Sequence, residues 1–97
     1  MRPYIPNLRA IEARYFGPTD TLGSRVRLRD LRGILPTRWI DYDYAQNSAA
    51  DTARAFLESE GWTLAHGAET PDAFLWLSPD FGRDSWTAPE PQREAAR

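Results

Sequence analysis

The sequence predicts a small α+β domain: an antiparallel sheet of about five strands, in the order β-β-β-α-β-β, with one helix packed on a face. Three observations carry this. Apolar and charged residues alternate with period two through the first half of the chain. Apolar residues recur at helical spacing once, after Ser48. Clusters of Gly, Pro, Asp and Ser punctuate the segments between. With 97 residues, 41% of them hydrophobic, the chain holds enough for one modest core. The domain is expected to span residues 1–87. Residues 88–97, poor in apolar side chains, are expected to form a disordered tail.

The elements follow in order. Residues 1–7 hold two prolines and read as an irregular arm. From Leu8 to Phe16, Ile11, Ala13 and Tyr15 fall on one side and Glu12, Arg14 and Phe16 on the other, the pattern of a half-buried strand. Gly17 to Ser24 is dense in turn formers and reads as a long hairpin loop. Ser24 to Leu31 alternates again, with Val26 and Leu28 opposed to Arg25, Arg27 and Arg29, and Asp30 to Gly33 reads as a turn. A third strand is expected over Ile34 to Tyr44, with Pro36 early, where a missing N–H is tolerated. There Arg38, Ile40, Tyr42 and Tyr44 share a face opposite Trp39, Asp41 and Asp43.

Ser48 followed by Asp51 marks a helix start, and Asp51 suits the positive end of the helix dipole. Ala49, Ala53, Phe56 and Leu57 form its apolar stripe, and Gly61 suits the position after the last turn. Two short strands are expected at Trp62 to Ala65 and Ala73 to Leu77, joined by a turn over His66 to Asp72. Phe81 and Trp86 are placed to pin the segment after Pro79 to the body.

Charge and composition narrow the function classes. The net charge of −2 argues against a strongly basic nucleic-acid binder, although a local patch is compatible with it. All 12 basic residues are arginine, whose planar fork suits bidentate contacts. Without cysteine there is no disulfide or thiolate chemistry. The start, Met1 to Pro6, lacks the apolar run of a signal peptide, and no stretch approaches the ~20 apolar residues of a membrane span. The expected location is the cytoplasm.

Catalytic motifs fail on inspection. Gly17 and Gly23 are separated by five residues rather than four, and no lysine follows, so the loop is not a phosphate-binding P-loop. A calcium loop starting at Asp41 would need Gly and Glu where Gln46 and Thr52 stand. His66 is the only histidine and belongs to no recognised triad, and no Cys/His cluster exists for zinc. No cofactor, metal or enzymatic activity is expected.

Arg25, Arg27 and Arg29 are the sharpest positive feature, because period-two spacing puts three guanidinium groups on one sheet face; Arg14 or Arg38 is placed to join them. The stripe suits phosphates, and it equally suits a charge ladder with Glu12, Asp41 and Asp43. Tyr15, Phe16, Trp39, Tyr42 and Tyr44 are more aromatics than one helix can cover, and exposed Trp, Tyr and Arg are what interface hot spots favour. The acidic residues Asp41, Asp43, Asp51, Glu58 and Glu60 form either a solvated face or, if coplanar, an imitation of a phosphate backbone.

The run Tyr15 to Arg27, with Gly17-Pro18-Thr19 leading to Gly23-Ser24-Arg25, resembles a segment of small uncharacterised proteins of phages and bacterial mobile elements. A later Tyr42-Asp43-Tyr44 before an Ala-rich helix ending at Gly61-Trp62 extends the resemblance over about residues 8–65. That setting includes anti-CRISPR inhibitors, an analogy of context. It implies a binding protein that blocks a CRISPR-Cas effector complex by contact with a protein subunit. Nucleic-acid binding through the arginine-lined face is the alternative. The expected contact residues are Arg25, Arg27, Arg29, Trp39, Asp41, Tyr42, Asp43 and Tyr44.

Overall fold

A computed structural model describes residues 7–88. The expectations for the arm at residues 1–6 and for the tail beyond Ala88 lie outside the described residues. Five strands and one helix follow the expected order: β1 (Arg9–Phe16), β2 (Arg25–Asp30), β3 (Arg38–Asp41), α1 (Ala49–Ser59), β4 (His66–Glu69) and β5 (Phe74–Ser78). They form one antiparallel sheet in the order β3-β2-β1-β5-β4, so the first strand is central. No helix among the described residues is long and apolar enough to cross a membrane.

The alternation in β1 and β2 sorts the two faces as the sequence predicts. Ile11 and Ala13 of β1 and Val26 and Leu28 of β2 are buried beneath α1, which adds Ala53 and Leu57. Ser48 Oγ accepts the Asp51 N–H at 3.1 Å, capping the helix start. At its end Gly61, at φ 86°, donates to the Glu58 carbonyl, and Trp62 donates to that of Leu57. This is a Schellman closure, which needs the left-handed conformation that glycine adopts without strain.

Two strand placements differ from expectation. β3 is only four residues long; the N–H groups of Ile34 and Leu35 are spent on the Asp30 carboxylate, and after Asp41 the Tyr42 N–H makes one last bond, to the Ser24 carbonyl, before the chain leaves the sheet. The fourth strand is His66–Glu69, not Trp62 to Ala65. Trp62 is drawn into the core by the helix closure and by its indole N–H, which donates to the Trp86 carbonyl at 3.0 Å. The small residues Gly67 and Ala68 then meet β5, with Gly67 opposite Trp76. Phe74 closes over Gly67, where a Cβ would lie 2.6 Å from Cζ of that ring.

A buried ion pair locks the far end of the sheet. Arg9 shares the parity of Ile11 and Ala13, and Asp30 that of Val26 and Leu28, so both project into the core. Their side chains are fully buried, with Arg9 Nη2 at 2.9 Å from Asp30 Oδ2. Asp30 also accepts the backbone N–H groups of Arg32, Ile34 and Leu35. Arg9 Nη1 donates to the carbonyls of Asp80 and Arg83, holding residues 79–88 as a strap. The strap's Trp86 is buried beside Trp62, and its indole donates to the Pro36 carbonyl at 2.6 Å.

Candidate binding face

The helix covers one side of the sheet. Among the described residues no element packs on the other side, which carries Phe16, Arg14 and Glu12 of β1, Arg25, Arg27 and Arg29 of β2, and Trp39 and Asp41 of β3. Toward β4 the same side turns apolar, with half-buried Leu75 and Leu77. In the β1–β3 half, four arginines stand against two carboxylates.

The arginines are not equivalent. Glu12 holds Arg29 at 2.9 Å and Arg27 at 3.4 Å. For these two the charge-ladder reading holds. Arg25 makes no ion pair among the described residues, and its guanidinium lies over two rings, 5.0 Å from Trp39 and 5.8 Å from Phe16. The two rings meet edge to face at 5.0 Å. Arg14 is directly opposite Arg27 in the β1–β2 register, an unfavourable pairing of like charges. Both stack on Phe16, at 5.5 and 5.2 Å, which offsets part of the repulsion. Arg27 Nε is buried against this cluster without a hydrogen-bond acceptor. Leu22, Arg25, Trp39, Ile40 and Asp41 line an open hollow of about 380 Å³ at the edge of the face.

The expected contact residues divide between two regions. Arg25, Arg27, Arg29, Trp39 and Asp41 share the open face. Arg38 does not join them; it projects to the helix side and stacks on Phe56 at 5.4 Å. Past the end of β3 the chain turns toward the helix, where the Asp43 N–H reaches Thr52 Oγ1. There Tyr42 meets Tyr15 edge to face at 5.5 Å and Tyr44 at 4.9 Å. The acidic residues fall into two pairs and a fifth: Asp41 and Asp43 line one hollow beside the helix, Asp51 and Glu58 line another where Arg54 pairs with Glu58, and Glu60 accepts the Ala88 N–H. His66 is exposed on the edge strand β4. No group of three or more metal-ligating side chains occurs among the described residues.

Sequence reasoning overlooked the Arg9–Asp30 pair. Its signal was present: an arginine at a core-facing register demands a carboxylate at the matching parity of the neighbouring strand. Burial disfavours the Asp30 carboxylate, but its bond from Arg9 and the N–H groups of Leu35 and Arg32 outweigh this, and the group titrates below its ordinary value. Comparison with protein-family models, with curated proteins and with solved structures returned no match.

Proposed function

We propose that this protein acts by binding rather than by catalysis, and that the arginine–aromatic half of its open sheet face docks onto an acidic patch of a protein partner. The observation that carries the reading is Arg25, which makes no ion pair among the described residues, although Asp41 stands opposite it in the register, and which is stacked against Phe16 and a Trp39 that is 45% exposed. A guanidinium ordered on two rings needs little further ordering to grip a carboxylate, and exposed Trp and Arg side by side dominate protein interfaces. A protein partner is favoured over nucleic acid for two reasons. Glu12 already neutralises part of the stripe, and the whole chain carries a net charge of −2, which opposes a polyanion at long range. Within this reading the protein is an inhibitor from a phage or mobile element, with a CRISPR effector complex as its target.

The test is target cleavage by a panel of reconstituted CRISPR effector complexes with and without the protein. The proposal predicts inhibition with a stable complex on size exclusion, and at least ~30-fold weaker inhibition by Arg25→Glu, as for a hot-spot residue. Single-stranded DNA is the second arm. Tight oligonucleotide binding that falls steeply with salt, with no effect on any effector, would transfer the face to nucleic acid.

A further inference from the structure

Tyr15, Tyr42, Tyr44 and Ala49 line an open hollow of about 370 Å³ on the helix side of the molecule, apart from the arginine face. Three tyrosine rings form its walls. Tyr15 and Tyr42 stand at 82° to one another, and Tyr44 is tilted 51° from Tyr42. The walls are preformed: the Tyr15 hydroxyl is hydrogen-bonded to Ser24 Oγ at 3.0 Å, and Tyr44 packs on Tyr42 although it is 77% exposed. An aromatic face carries the negative part of the ring quadrupole, so rings turned at steep angles around one space attract a cation to its centre.

Elsewhere this chain fills such positions with its own arginines. Every arginine of residues 7–88 except Arg29, which Glu12 holds, has its guanidinium within 5.8 Å of a Phe or Trp ring centroid. Among the described residues no guanidinium lies over Tyr15, Tyr42 or Tyr44. Asp43 and Asp51 are near in sequence but line separate hollows, so the attraction for a cation here comes from the rings themselves. The positive end of α1 would oppose a cation, but the Ser48 hydroxyl caps the Asp51 N–H and the Asp51 carboxylate in the first turn offsets the dipole.

We infer that this tyrosine corner is a binding site for an alkylated ammonium cation, either a free choline-like molecule or a methylated lysine of a partner. The site is independent of the sheet-face reading, because no tyrosine of the corner lies on that face.

The experiment is amide NMR titration of the full chain with choline and, in parallel, with 3,3-dimethyl-1-butanol, which has the same shape without the charge. Choline is expected to shift the amides of Tyr15, Tyr42, Tyr44 and Ala49, and to bind at least about threefold more tightly than the neutral isostere, the discrimination expected of an exposed cation–π site. Tyr44→Leu, at a position too exposed to threaten folding, should abolish the preference; Tyr44→Phe should keep it. A trimethyllysine peptide that binds more tightly than choline assigns the guest to a protein side chain, and equal binding assigns it to a free cation. Equal binding of choline and its isostere, no shifts at the corner, or a preference that survives Tyr44→Leu would overturn the proposal.

Discussion

Replacing Asp30 by asparagine keeps the shape of the buried carboxylate and removes its charge. In the native protein Asp30 accepts from Arg9 Nη2 at 2.9 Å and from three backbone N–H groups between 3.1 and 3.2 Å. The substituted amide would retain one acceptor oxygen and turn an NH₂ toward those donors. Arg9, whose side chain is wholly buried, would keep its charge without a counterion. Breaking a buried pair in this way costs ~3–5 kcal/mol. A domain of this size has ~5–15 kcal/mol in total, and its Tm falls by ~4–8 °C per kcal/mol. The expected loss by thermal denaturation at pH 7 is therefore on the order of 12–40 °C. The double variant Arg9→Met/Asp30→Asn removes the stranded charge and should lose less than the sum of the two single changes by ~2 kcal/mol. Acid gives a second reading of the same pair. Because the folded carboxyl titrates below its ordinary value, its contribution is present above the unfolded value of ~4 and lost as pH falls through the folded value. The gap between native protein and Asp30→Asn should thus narrow on acidification below about pH 4. Additive single changes, or a gap of the same size at neutral pH and in strong acid, would refute the reasoning.

Two further outcomes test the packing that holds the faces in place. Trp86→Ala removes the ring beside Trp62 and the bond to the Pro36 carbonyl, and should cost ~3–5 kcal/mol in urea denaturation; a loss under ~1 kcal/mol would mean the strap is peripheral. Gly67→Ala should cost ~1–3 kcal/mol by pushing Phe74 aside, and Phe74→Leu in the same chain should relieve part of it.

Much of this fold was legible because β1 and β2 alternate strictly, and a one-residue slip would have exposed Ile11, Ala13, Val26 and Leu28 together. The helix was legible from its cap, its stripe and Gly61. The arginine stripe was legible as a face, since parity alone puts Arg25, Arg27 and Arg29 on one side. The fourth strand was not. Trp62 to Ala65 has the stronger strand composition, yet Trp62 is committed to the core, and His66 to Glu69 forms a strand only because β5 pairs with it. Nor could parity show that Tyr42 and Tyr44 leave the sheet after Asp41 to meet Tyr15, because that depends on where pairing with β2 ends. The division of the arginines was likewise hidden. Arg27 and Arg29 pair with Glu12 and Arg25 does not, which follows from the β1–β2 register, where Glu12 stands opposite Arg29 and Phe16 opposite Arg25, rather than from spacing in one strand.

The measurement that bears most directly on the central claim is site-specific photocrosslinking in bacterial cells, with a benzophenone side chain at Trp39 on the open face or at Arg54 on the helix. The account predicts a discrete, nuclease-resistant protein adduct from position 39 that disappears when Arg25→Glu is added, and none from position 54. An adduct from position 54 alone, or one from position 39 that nuclease removes, would contradict it.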